Sequence, residues 1–83
     1  MYYVVYILKS LKDDKFYVGQ TQDLEKRLIR HNRGMVKSTK NRLPLILIYS
    51  ERFQTRSEAI KREKYFKSLE GGTFIKKYLR GLA

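Results

Sequence analysis

Several side chains able to do chemistry sit where this sequence should be apolar. In the segment around residues 55–70, read as a helix, Ala59, Ile60, Phe66 and Leu69 share one side. Glu63 falls between Ile60 and Phe66 on that side, about 40° from Ala59 at about 100° per residue. A carboxylate inside an apolar stripe is costly unless something pairs with it. Two partners fit: Lys67, four residues on and in the favourable Glu-before-Lys order, or a divalent cation, a hard ion that prefers carboxylate oxygen. In an earlier helical segment, Leu24 and Leu28 form the apolar side, and Arg27 and His31 border it while Lys26, Arg30 and Arg33 point away. Arg27 there reads either as a snorkelling side chain or as a functional cation, and His31 as a satisfied boundary histidine or a functional imidazole. Tyr6 shares a strand face with Val4 and Leu8, and Tyr17 shares one with Gly19. Either phenol reads as packing or as a hydroxyl available for chemistry.

Composition removes most rival chemistries. The chain has 83 residues with 19 Lys and Arg, eight Asp and Glu, a net charge of +11, one His and no Cys. Disulfides, thiolate metal sites and a cysteine nucleophile are excluded, and a single histidine excludes multi-histidine zinc sites. No serine lies in a nucleophile elbow and there is no P-loop. Among Asp13, Asp14, Asp23, Glu25, Glu51, Glu58, Glu63 and Glu70, only Glu63 interrupts an apolar helix face. A one-carboxylate site is therefore the most that the sequence supports for metal chemistry. Phosphate contact is independently favoured: Arg30, Arg33, Lys37, Lys40, Arg42, Arg52, Arg56, Lys61, Lys64, Lys76 and Lys77 are spread through structured segments, and tyrosines can stack on bases. Ribosomal and membrane-surface proteins share such a basic surface. The longest apolar runs, Tyr2–Leu8 and Leu43–Tyr49, are seven residues each, against about 20 for a membrane span. With no cleavable leader pattern after Met1, the expectation is a cytoplasmic, unprocessed protein with no membrane partner.

The elements that must position these groups follow from local pattern. Tyr2–Leu8 is β-branched and aromatic, and Phe16–Gln20 follows a polar turn, so the two predict an antiparallel hairpin. Thr21 predicts a cap for a helix over residues 22–33, with Gly34 as its stop. Met35 to Leu43 is a basic loop, and Pro44 opens a third strand over Leu45–Glu51. Thr55-Arg56-Ser57-Glu58 is a capping box that starts a second helix running to about Glu70, ended by Gly71-Gly72. A short third helix is expected over Phe74 to Arg80, capped by Thr73. The order ββαβαα predicts an α/β (α+β) sandwich, a small three-stranded, mainly antiparallel sheet with flanking helices, in one domain over residues 1–83.

Val4-Val5-Tyr6 followed by Tyr17-Val18-Gly19 resembles the paired triplets of the GIY-YIG nuclease family. The likeness continues through Thr21, Leu24, Arg27, His31, Asn32 and Gly34, then Lys40 and Pro44, and ends in Ala59 and Glu63 with Lys67. Val4 stands where the first glycine is expected. The chain is most similar to small stand-alone members, related to the nuclease module of the excision-repair C subunit. The resemblance implies a sheet with its first strand central and a site built on it. Glu63 would hold one divalent ion, Mg²⁺ or Mn²⁺. Tyr6 would act as general base or orient the water, with Tyr17 beside it. Arg27 would stabilise charge on the phosphate, and His31 would orient Tyr6 or help it lose its proton. Lys40 would contact phosphate, and beyond the resemblance the basic surface offers Arg30 and Arg42, with Lys67, as further expected substrate contacts.

The physical logic agrees with that assignment. A metal ion and a guanidinium can neutralise the extra charge of a phosphodiester transition state. A tyrosine with a pKa near 10 needs cationic neighbours to act as a base. The expected activity is metal-dependent endonucleolytic hydrolysis of DNA, branched, nicked or single-stranded, in repair or the processing of structured DNA, with RNA as a further candidate. The alternatives are a non-catalytic DNA- or RNA-binding module of the same fold and a basic structural protein. All of these roles require Tyr6, Tyr17, Arg27, His31 and Glu63 to line one hollow.

Overall fold

The structure, a computed structural model, describes residues 2–79, without the side chains of residues 78 and 79. Strands β1 (Tyr3–Ser10), β2 (Phe16–Thr21) and β3 (Leu45–Phe53) form one sheet in the order β2-β1-β3 with both pairings antiparallel. Helix α1 (Leu24–Asn32) lies between β2 and β3, and α2 (Arg56–Lys67) and α3 (Leu69–Phe74) follow β3, giving the expected ββαβαα order. A π-helical turn, Ile75–Leu79, continues α3. Arg80, the predicted end of the third helix, lies outside the described residues.

β1 is central because both of its neighbours arrive through antiparallel returns. Its two faces serve different helices. Val5 and Ile7 pack with Val18, Ala59, Phe66 and Ile75 beneath α2 and α3, whereas Tyr6 and Leu8 pack with Leu45, Tyr17, Leu24 and Leu28 beneath α1. This is strand alternation applied to a run that is apolar throughout: successive side chains of Val5-Tyr6-Ile7-Leu8 enter two separate cores. In the β1–β3 pairing a register shift falls between Ile7 and Leu8, opposite Tyr49 and Leu47, so Ile48 is the extra residue.

Three local expectations are corrected. The N-cap of α1 is Asp23, not Thr21: Asp23 is extended (φ −136°, ψ 91°) and its carboxylate accepts from the Lys26 amide at 3.1 Å, while Thr21 Oγ1 accepts from the Asp23 amide. Gly34 (φ 73°) does follow the end of α1. Helix α2 starts at its capping box as expected, with Thr55 Oγ1 accepting from the Glu58 amide at 3.2 Å, but it stops at Lys67 and not at Gly71-Gly72. Ser68 is extended (ψ 169°) and its hydroxyl accepts from the Gly71 amide, so one residue ends α2 and caps α3, which starts at Leu69 and not at Phe74, with Ser68 and not Thr73 as its cap. Gly71 then packs against the Tyr65 carbonyl with no room for a Cβ. The break turns Leu69 out of the α2 stripe, leaving it 90% exposed.

The segment from Met35 to Leu43 is more ordered than a basic loop. It folds into successive turns that bury Val36 and Thr39. Its end is tied to the β1–β2 turn, where Ser10 Oγ donates to the Arg42 carbonyl at 2.6 Å and the Arg42 guanidinium pairs with Asp13 at 3.1 Å. Among the described residues no helix is long and apolar enough to cross a membrane.

Candidate active site

Tyr6, Tyr17, Arg27 and His31 converge on the α1 face of the sheet. Tyr6 points there because its neighbours Val5 and Ile7 take the other face. Arg27 and His31, one helical turn apart, are delivered by α1. Tyr6 Oη lies 2.9 Å from His31 Nε2 and accepts from Arg27 Nε at 3.2 Å. The Tyr17 ring meets the imidazole edge-on at 5.1 Å between centroids, and the two phenol rings are 6.3 Å apart. Gly19, paired with Tyr6 across the β1–β2 ladder, makes room for the phenol: a Cβ there would stand 2.6 Å from Tyr6 Oη and 3.0 Å from a Tyr17 ring carbon. The second triplet thus supplies both a ring, Tyr17, and the gap that admits another, at Gly19.

Burial sets the protonation states. The side chains of Tyr6 and His31 are both 0% exposed. Burial pushes the Tyr6 phenol up, against the opposing hydrogen bond from Arg27, and nearby Tyr17 adds to the rise. Burial, and then the Arg27 charge, holds His31 down at about 4. The Tyr6 hydrogen bond in turn raises Arg27. At neutral pH the cluster therefore contains a protonated phenol, a neutral imidazole and a guanidinium. Arg27 alone does not make Tyr6 a phenolate, and the group placed to receive the Tyr6 proton is His31.

Both oxygens of Glu63 have partners outside these four side chains. Its Oε1 accepts from Gln20 Nε2 at 2.9 Å and its Oε2 pairs with Lys67 Nζ at 2.6 Å. Gln20 pairs with Val5, on the α2 face, whereas the preceding residue, Gly19, lies under Tyr6 on the α1 face. The residue that holds the glutamate and the residue that makes room for the phenol are thus successive positions of the edge strand. A groove of about 700 Å³ along that strand is lined by both Tyr17 and Lys67, with Lys15, Phe16 and Lys76 among its other walls. The i+4 partner considered from the helical wheel is present, and Gln20, which sequence reasoning missed, completes the pairing. Among the remaining expected contacts, Arg30 and Lys40 are exposed, while Arg42 is held by Asp13 and the Phe16 carbonyl.

Among the described residues no three His, Cys, Asp or Glu side chains form a metal cage. The Glu63 carboxylate, with its side chain 19% exposed, nevertheless holds a cation already, the Lys67 ammonium, whose own side chain is 55% exposed. One carboxylate suits Mg²⁺, which keeps most of its waters.

Thr39 is the other residue that sequence reasoning missed. It is fully buried, and its hydroxyl lies 2.7 Å from His31 Nδ1. The only signal was an uncharged polar pair, Ser38-Thr39, between Lys37 and Lys40.

Comparison with known proteins agrees with this architecture. Residues 2–78 match the GIY-YIG catalytic domain. The UPF0213 protein SSP2268 of Staphylococcus saprophyticus is 49% identical over 65 residues, covering 77% of this chain and 78% of that one. The UPF0213 protein YazA of Bacillus subtilis is 48% identical over 65 residues, covering 77% of this chain and 65% of the relative. The solution structure of the UPF0213 protein BH0048 from Bacillus halodurans has a TM-score of 0.56 at 29% identity, covering 98% of this chain and 94% of that one. With nearly all of its described length matched, and both triplets in place on adjacent strands, the chain belongs to the GIY-YIG family, whose domain is that of nucleases.

Proposed function

We propose that this protein is a metal-dependent endonuclease that hydrolyses phosphodiester bonds in DNA, acting as a single cytoplasmic domain in repair or the processing of structured DNA. The observation that carries this reading is the bonding at Tyr6. Its oxygen accepts from a guanidinium and lies against an imidazole kept neutral by burial. In this arrangement His31 Nε2 can take the phenol proton as the phenol oxygen takes one from water, while Arg27 offers positive charge to the phosphate. Glu63 would hold a hydrated divalent ion, which would supply Lewis-acid stabilisation of the developing charge. The exposed Arg30 and Lys40, and Lys67 once released from Glu63, would contact the phosphate backbone.

A second reading, a DNA- or RNA-binding module of the same fold that does not cut, is favoured by one observation. The Glu63 carboxylate is satisfied on both oxygens, by Gln20 and Lys67. A single panel separates the two. Purified protein is incubated with branched, nicked and single-stranded DNA and with RNA, in Mg²⁺, Mn²⁺ or EDTA, beside Glu63→Ala and Arg27→Ala. The nuclease reading requires cleavage that depends on metal and is lost in both variants. Salt-dependent binding that persists in Glu63→Ala, with no cleavage by any form, establishes the binding module instead.

A further inference from the structure

Behind the catalytic cluster lies a chain of hydrogen bonds that the proposed roles of Tyr6 and His31 leave unexplained. From the surface inward it runs from Arg27 Nε to Tyr6 Oη (3.2 Å), on to His31 Nε2 (2.9 Å), then from His31 Nδ1 to Thr39 Oγ1 (2.7 Å), and ends at the Val36 carbonyl (3.5 Å). Tyr6, His31 and Thr39 are each 0% exposed. Buried polar groups of this kind are hydrogen-bonded, so before substrate arrives the hydrogens are allotted among these partners.

Two allotments are possible for a neutral imidazole. In the first, the Thr39 hydroxyl donates to the Val36 carbonyl and accepts from Nδ1–H. The Nε2 lone pair then accepts the Tyr6 hydroxyl hydrogen, and the phenol oxygen accepts from Arg27. Every hydrogen in this set has an acceptor. In the second, Thr39 donates to Nδ1, so Nε2 carries the hydrogen. The phenol oxygen then receives hydrogens from both His31 and Arg27, and its own hydrogen loses the imidazole and is left to Tyr17; the Val36 carbonyl keeps the Thr39 and Lys40 amides in either case. A buried hydroxyl hydrogen that gives up a good acceptor costs about 1–3 kcal/mol, and the first allotment keeps the imidazole at 2.9 Å as that acceptor.

We propose that Thr39 is a positioning residue that fixes His31 as the Nδ1–H tautomer, so that the Nε2 lone pair faces the Tyr6 hydroxyl. Thr39 touches no reacting atom and acts only through the imidazole. The turn Val36–Thr39 is the device that aims it: the Thr39 amide also donates to the Val36 carbonyl at 3.0 Å, holding the threonine's backbone in place. Because Nδ1–H keeps its acceptor when Nε2 gains a proton, the same contact also supports the imidazolium formed as Tyr6 gives up its hydrogen. The catalytic consequence rests on the nuclease reading, whereas the tautomer does not.

The test uses the fact that His31 is the only histidine. A long-range ¹H–¹⁵N spectrum of the imidazole at neutral pH, on the full chain without metal or DNA, reports one ring. Wild type is expected to show a protonated Nδ1 and an unprotonated Nε2. Thr39→Val should move most of the population to the Nε2–H form, and Thr39→Ser should keep the wild-type pattern. On a cleaved DNA substrate, Thr39→Val should lower kcat about 10- to 100-fold with KM little changed, and Thr39→Ser should recover it. A wild-type spectrum with hydrogen on Nε2 overturns the assignment, as does Thr39→Val retaining the wild-type tautomer. If Thr39→Val does not fold, the wild-type and Thr39→Ser spectra decide. The expected spectra together with no cleavage of any DNA uphold the assignment and remove the nuclease reading.

Discussion

The two faces of the sheet are built from one strand by opposite means. Beneath α2, Val5 and Ile7 meet Val18, Ala59, Phe66 and Ile75, and nothing buried in that cluster is polar. Beneath α1, the same strand presents Tyr6 and Leu8 to a region where His31 and Thr39 are also fully buried. The first face is held by area and packing, so damage should scale with the volume removed. The second is held by pairing, so damage depends on which partner is left without one. A small domain cannot keep a polar cluster dry on one side of its sheet unless the other side supplies most of its cohesion.

The largest effect should therefore come from the apolar face. Phe66 is 2% exposed and its ring meets those of Tyr49, Tyr65 and Phe74 at 5.9, 5.5 and 6.0 Å between centroids. Phe66→Ala is expected to cost about 3–5 kcal/mol in urea unfolding, a large part of the stability of a domain this size. A loss below about 1 kcal/mol would mean that this face is not the main core. On the other face Arg27 is partly exposed, and its hydrogen bond to Tyr6 is a small fraction of the folding energy. Arg27→Ala should lower DNA cleavage about 10²- to 10³-fold while leaving the urea midpoint nearly unchanged. Equal cleavage by the variant, or unfolding in place of inactivation, would erase the contrast between the faces.

The pH dependence of folding sharpens the same comparison, because the apolar cluster beneath α2 has no buried ionisable group. The folded-state pKa of His31, at about 4, lies below the ordinary value of 6.5. Between those values the unfolded chain binds the proton and the folded one does not, so folding is favoured as pH rises. The contribution is fully present above about pH 6.5 and is lost as pH falls toward 4. A loss of the order of 2 kcal/mol corresponds to a melting temperature lower by about 10 °C. His31→Gln should flatten the slope across this window. Asp13, whose carboxyl is lowered first by the Lys15 amide, belongs to the more acidic range below it. A wild-type melting temperature constant from pH 7 to 4.5 would contradict a buried neutral imidazole.

How much of this was legible depended on whether the signal was local. Strand composition and turn and cap residues are local properties, so the ββαβαα order could be read directly, whereas the central first strand came only from the family resemblance. Arg27 and His31 were legible because a cation and an imidazole bordering an apolar stripe violate the helical pattern. Thr39 was hidden because its partner is eight residues away across a turn, and nothing about a threonine among lysines marks burial. The end of α2 was hidden because the diglycine that reads as a stop is carried inside α3, while Ser68, an ordinary residue in a helical pattern, ends one helix and caps the next. Glu63 was legible as an oddity, but its setting was not. The wheel showed which residues it neighbours on its own helix and could not show Gln20 reaching it from β2.

That setting gives the smallest effect and the most direct link between the two faces. Lys67 occupies the only oxygen of Glu63 that Gln20 does not, so a divalent ion binding there competes with a resident ammonium. The competition is modest because Lys67 is more than half exposed and its pair with Glu63 is worth about 1 kcal/mol or less. Lys67→Met should therefore tighten Mn²⁺ binding about threefold to fivefold, read by electron paramagnetic resonance in the absence of DNA. Glu63→Gln should abolish the same signal. In the cleavage assay Lys67→Met should then need less metal for half-maximal rate. Should it instead bind Mn²⁺ more weakly, Lys67 helps to assemble the cation site and does not compete for it; and should Glu63→Gln bind as well as wild type, the ion sits elsewhere and the α2 face contributes only cohesion.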